Sequence, residues 1–236
     1  MNDSFPFRWL KVCLGYSCLI VLLLPIGCSR NFLGSRSPLS EAVVPTDAKL
    51  LAYHLEEHLK ELEEFTRRLY AKNPKYEPDP KAREANIQGI FHDATLPYPR
   101  YRKIPSHQIL TEAFAEKTQC PDRVFLLSLG LVKSIRETYQ PEDKVILSSL
   151  QVPLESLQKL YVNISQVNWR LKVYRDGAGR LLFCTNEAGD HGYINMGYEV
   201  IMTRILTRVT DDIYLRGGSP PKFIFNMSTV FLAIVL

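Results

Sequence analysis

From Leu51 onward the apolar residues fall at spacings of three and four: Leu51, Leu55, Leu59, Leu62, Phe65 and Leu69. That period predicts an amphipathic helix, capped by Thr46 or Asp47 and running to about Ala71, where Asn73-Pro74 stops it. Glu56, Lys60, Glu63, Glu64 and Arg67 take the other side. Asp79-Pro80 pairs a cap with a proline at the first helical position and predicts a shorter helix to about His92. After the proline-rich stretch DATLPYPRYRKIPS, Ser106 starts another, to about Lys117. Pro121-Asp122 opens a fourth helix, whose run VFLLSLGLV at 124–132 is apolar on every side. Such a helix belongs at the centre of the core, and Ser128 and Gly130 let a neighbour come close. A fifth starts near Pro153 and uses Leu154, Leu157, Leu160, Tyr161 and Ile164.

The pattern then changes period. Trp169, Leu171 and Val173 alternate with Arg170, Lys172 and Tyr174, and Asp176-Gly177-Ala178-Gly179 reads as a turn before Leu181 to Thr185 return. Period two around such a turn predicts a β-hairpin over 169–185. Asn195 can cap a further helix to about Leu215, ended by Gly217-Gly218. The last stretch, FIFNMSTVFLAIVL, is rich in β-branched and aromatic residues and reads as a strand over 223–235. It is short for a membrane span, the alternative reading. The expected fold class is therefore α+β and predominantly helical: about six helices with a small C-terminal antiparallel sheet.

The first residues follow another logic. Arg8 and Lys11 precede an apolar run from Val12 to Leu24, the length of a signal-peptide core. Leu24-Pro25-Ile26-Gly27-Cys28 ends it. This segment resembles the signal of a bacterial lipoprotein, whose lipobox closes on a small residue and a cysteine. Pro25 stands where that family usually has leucine. The resemblance covers residues 1–29 only. It implies cleavage after Gly27 and a diacylglyceryl group, with palmitate-type acyl chains, on Cys28. Ser29, where aspartate would retain the chain at the inner membrane, implies the periplasmic face of the outer membrane. An uncleaved N-terminal anchor is the alternative. The expected organisation is a signal peptide over 1–27, a flexible Ser/Pro/Gly-rich tether over 28–45, and one α-rich domain over 46–236.

Composition adds limits. The 236 residues are 46% hydrophobic and 23% charged, enough for one sizeable core. The net charge of +4 becomes +3 once Asp3, Arg8 and Lys11 are removed, and no basic block suggests a nucleic-acid partner. No internal repeat is evident. Removing residues 1–27 also takes Cys13 and Cys18, and lipid occupies Cys28. Cys120 and Cys184 remain, an even pair in an oxidising compartment. A bridge would close a loop of about 65 residues, worth about 4 kcal/mol on the chain-entropy account.

Three features carry candidate chemistry. Residues 54–58 read HLEEH, which resembles the H-x-x-E-H motif of the inverted zinc peptidases. On that reading His54 and His58 hold zinc one helical turn apart, Glu57 is the base, and a downstream glutamate such as Glu137 is the third ligand. The helix phase opposes it. His58 falls within the leucine stripe and His54 at its edge, where a histidine is a packed residue bonded to a neighbour. Second, Cys184 stands near Glu187, Asp190 and His191, as in a Cys-His nucleophile site or a hairpin end beside a solvated loop. Third, Tyr98, Arg100, Tyr101 and Arg102 alternate rings with cations among prolines, as a partner-binding loop does, or a surface connector whose rings pack down. Asp211-Asp212 lie near a helix C-terminus, where negative charge is unfavourable. They suit a cation, a partner's arginine, or solvent.

No motif specifies a reaction or a cofactor. The expectation is a lipid-anchored envelope protein that binds another protein or wall polymer without catalysis. The alternative is a small periplasmic hydrolase built on the histidine pair or on Cys184 and His191.

Overall fold

The computed structural model describes residues 45–92, 96, 98–140, 146, 148–185 and 196–234, all within the unit Val43–Leu236. The expected signal peptide, Cys28 and the tether up to residue 44 lie outside the described residues, as do Glu187, Asp190, His191 and Asn195.

Six α-helices form among the described residues: α1 (Thr46–Lys72), α2 (Pro80–Phe91), α3 (Ser106–Phe114), α4 (Arg123–Tyr139), α5 (Leu154–Val173) and α6 (Gly197–Leu215). Short 3-10 turns occupy Pro99–Arg102 and Ser149–Gln151. α1 buries Leu51, Leu55, Leu62, Phe65 and Leu69, the stripe its period predicts, while Leu59 stays half-buried. The Asp79 carboxylate caps α2 by accepting from the Lys81 N–H at 3.0 Å. Asp122 does the same for α4 through the Phe125 N–H at 2.9 Å.

α4 is the central element. Every residue from Val124 to Val132 is buried, and α1, α2, α3 and α5 all pack on it. Its small residues allow close approach, as expected. The Thr66 hydroxyl of α1 donates to Ser128 Oγ at 2.8 Å. A Cβ on Gly130 would lie 2.7 Å from Leu110 Cδ2 of α3. α3 ends at Phe114, short of the expected Lys117, because the Arg123 guanidinium draws the carbonyls of Ala113, Ala115 and Glu116.

The expected C-terminal sheet does not form among the described residues. Among the described residues the only β contact is an isolated bridge between Arg175 and Leu181. Trp169–Val173 is the last part of α5. Leu157, Leu160, Ile164, Val167 and Leu171 are all buried at spacings of three and four, so a twenty-residue helical period overrides a five-residue alternation. The predicted turn is present. Asp176 accepts from the Gly179 N–H at 2.8 Å through its carbonyl, and Gly179 takes φ +77°. It follows a helix instead of joining two strands.

With no strand at 169–173, the segment 223–234 has nothing to pair with. Side chains of α5 hold its backbone instead. Asn163 donates to the Leu232 carbonyl and accepts from the Leu232 N–H, both at 2.8 Å. Gln166 and Arg170 donate to the Thr229 carbonyl, and Phe231 is buried against Phe114 and Arg170. No helix among the described residues is long and apolar enough to cross a membrane.

Candidate functional site

The first helix brings His54 and His58 to the packing face, where α4 and α6 meet them. His54 is 7% exposed and His58 0%. Nδ1 of His54 donates to Asp212 Oδ1 at 2.7 Å. The Tyr139 hydroxyl donates to the other oxygen, Asp212 Oδ2. Since that proton points at the carboxylate, the phenol oxygen is left as an acceptor, and Nε2 of His58 donates to it at 3.3 Å. The chain of bonds fixes the tautomer: His58 carries its hydrogen on Nε2. Nδ1 is buried with no partner among the described residues.

The electrostatics follow from that geometry. Protonating His58 would place an N–H at an unpartnered, dry position. Burial first, then the positive charge of Arg208 and the neighbouring His54, lower its pKa from 6.5 to about 3. Burial and the Asp212 charge push the Tyr139 phenol well above its ordinary range. On the solvent side of the same α1–α6 seam, Arg208 pairs with Glu57 at 3.5 Å and Arg204 with Glu61 at 3.2 Å.

A zinc site needs two imidazoles aimed at one point, and these are not. His54 uses Nδ1 on Asp212 and His58 uses Nε2 on Tyr139, with ring centroids 6.4 Å apart. Glu57 faces Arg208. Glu137 accepts from the backbone N–H and hydroxyl of Ser106, closing the N-terminus of α3. Among the described residues no three His, Cys, Asp or Glu side chains are placed to hold a metal ion.

Cys120 and Cys184 are not bridged. Cys120 is buried, its thiol reaching the Asp122 carbonyl at 3.6 Å, and burial pushes its pKa up to about 11. The backbone of Cys184 is clamped elsewhere: its N–H donates to Asn73 Oδ1 at 2.7 Å and its carbonyl accepts from Asn73 Nδ2 at 2.9 Å. In the Tyr98–Arg102 turn the rings pack down. Tyr101 is buried and donates to Glu112 at 2.9 Å, and Tyr98 packs on Phe125 with centroids 5.0 Å apart. Arg100 lies over the Tyr101 ring at 4.7 Å and donates to its hydroxyl and to Gln119. Arg102 faces solvent.

Sequence reasoning brought out the histidine pair but missed Tyr139, and left Asp212 to a cation, a partner's arginine or solvent. Asp212 is 0% exposed, and Asp211 is the exposed member of that pair. The signal was a carboxylate at an unfavourable helix end. The structure answers it with an imidazole and a phenol instead of a cation. Chemically, Asp212 orients His54 as a carboxylate orients a general base. Comparison with family models, with curated proteins and with solved structures finds no match for this chain.

Proposed function

We propose that this chain is a lipid-anchored component of a bacterial envelope. Diacylglyceryl-Cys28 holds it at the periplasmic face of a membrane, the outer one, and it acts by binding a protein or wall polymer. The observation that carries this reading is the apolar run Val12–Leu24 closing on Leu24-Pro25-Ile26-Gly27-Cys28. A binding role over catalysis is supported by where the reactive groups are spent. His58 is sealed inside, Glu57 is on Arg208, and Glu137 is on the start of α3.

Mass spectrometry of the N-terminal peptide, with palmitate labelling, tests the anchor. The expected result is an acylated Cys28 as first residue, and a Cys28→Ser chain that is unlabelled and leaves the membrane fraction. A wild-type chain that keeps residues 1–27 without acyl label refutes it. The Asp212-oriented imidazole of His54 favours a second reading, a hydrolase. That reading gains if His54→Gln abolishes wall-polymer or ester hydrolysis while the melting temperature holds.

A further inference from the structure

We propose that the end of the domain where α1 begins docks on the surface of an anionic bilayer, with Leu50, Tyr53, Leu150, Tyr214 and Leu215 at the lipid boundary. This rests on the anchored reading above. These five side chains are 40%, 54%, 74%, 60% and 44% exposed, high values for large apolar groups of a folded chain.

They belong to three segments that meet at one end of the bundle. The Asp47 carboxylate, in the first turn of α1, takes a hydrogen bond from the Ser149 side chain and feels the charge of Arg216. α1 also packs on the Ser149–Gln151 turn. The His54–Asp212 bond at 2.7 Å and the Glu61–Arg204 pair at 3.2 Å run α1 and α6 antiparallel. The start of one therefore faces the end of the other.

The chemistry suits a headgroup layer. Tyrosine places an apolar ring and a wet hydroxyl at that depth. Lys49 is exposed and Arg216 half-buried beside the apolar residues, and both favour anionic headgroups. Asp211 is exposed too, which limits the contact to the interface and keeps it out of the hydrocarbon. The anchor names the occupant. Pro45, the residue before α1, enters at this same end, so a lipid on Cys28 presents it to the membrane. The 18 residues from Cys28 to Pro45 reach no further than about 60 Å even fully extended.

A rival apolar face supplies the control. Phe223, Ile224, Met227 and Val230 are 48%, 93%, 63% and 69% exposed, and Phe225 between them stacks on Trp169. Leu154 lies beside Gly218, just past the end of α6. Trp169 is fifteen residues further along α5, about 22 Å away. Trp169 is also the only tryptophan after residue 27.

The test uses the full acylated chain in phosphatidylglycerol–phosphatidylethanolamine vesicles containing bromine-labelled acyl chains. Tryptophan fluorescence reads proximity to the bilayer. The tryptophan introduced by Leu150→Trp, in a Trp169→Phe background, should be quenched roughly twofold, and Trp169 of the parent chain should keep its emission. If Trp169→Phe does not fold, Leu150→Trp is read with Trp169 in place, and quenching beyond the parent's is the signal. Quenching of Trp169 instead, or of both, puts the rival face on the membrane and overturns the proposal. No quenching at either site, with Cys28 acylated by mass, leaves the domain standing off on its tether and overturns it as well. A chain without acyl groups on Cys28 refutes the anchor itself, and the docking with it.

Discussion

Two buried carboxylates, Asp122 and Asp212, sit in this core, each 0% exposed and each accepting from a tyrosine hydroxyl. Asp122 stands at the N-terminus of α4. One oxygen caps the Phe125 N–H, and the other accepts from Tyr70 at 2.7 Å and Asn86 at 2.9 Å. Asp212 stands one turn from the C-terminus of α6, where the helix repels negative charge. It survives there because His54 and Tyr139 both donate to it. A backbone donor helps to hold the first charge. The second depends on side chains from two other helices. A carboxylate that also caps its own helix is in part a local device, and one held only by its neighbours is a tertiary clasp.

Deleting the Asp212 carboxylate tests that distinction. Asp212→Ala strands a buried imidazole N–H and a buried phenol, so a stability loss of roughly 5 kcal/mol is expected by denaturant unfolding. A loss under about 1 kcal/mol would mean that the clasp does not hold α1, α4 and α6 together.

The two nodes also titrate in opposite directions. Folded His58 is held near 3, while an unfolded imidazole takes a proton near 6.5. Between those values the unfolded chain binds more protons, so stability falls as pH drops from about 6.5 toward 3. The shift corresponds to a loss on the order of 5 kcal/mol. His58→Gln keeps a partner for Tyr139 and cannot titrate, so its unfolding free energy should lose most of that slope. An unchanged slope would assign the acid sensitivity to other groups.

Burial, outweighing the bonds from Phe125 and Tyr70, raises the Asp122 carboxyl from 3.8 to about 6. Here the folded chain binds more protons, so lowering pH from about 6 to 4 adds stability, by about 3 kcal/mol. Asp122→Asn keeps a competent cap and removes this opposing slope. Acid-induced loss should therefore become steeper between pH 6 and 4 in unfolding curves, and a shallower curve would contradict the assignment. The smallest effect concerns the turn after Asp212. Gly217 has φ +75° and donates to the Tyr214 carbonyl while Gly218 donates to Ile213, closing α6. Gly217→Ala should cost about 1 kcal/mol in a thermal melt. A loss approaching that of Asp212→Ala would show that the cap and the clasp unfold as one unit.

The same distinction explains what could be read from the residues. The caps at Asp79 and Asp122, the stripe of α1 and the glycine stop of α6 are short-range devices, legible in order along the chain. The apolar run of α4 announced its central place, and Ser128 and Gly130 announced a close neighbour, while only the structure shows α1 at Ser128 and α3 at Gly130. The hairpin failed because Leu171 belongs to two patterns at once, the alternation with Trp169 and Val173 and the helical stripe that begins at Leu157, while Val173 is exposed. Only packing of Leu157 through Leu171 as one face chose the helix. The strand over 223–235 failed with it, since β-branched residues form a strand only where a neighbour offers its backbone.

For the histidine pair, helix phase in the sequence was enough to place His58 inside and to weigh against a zinc centre. It could not name the acceptor. Tyr139 is 81 residues from His58, and Asp212 is 158 from His54. Nothing local distinguishes these two from any other tyrosine and aspartate. The sequence by itself determined that six helices form, the caps at Asp79 and Asp122 and the buried faces of α1 and α4, because those depend on residues within a turn or two of each other. Only the tertiary structure decided which donors meet Asp212 and which nitrogen of His58 carries its hydrogen. It also decided that the last segment is held by side chains of α5. Each of these requires groups brought together from distant parts of the chain.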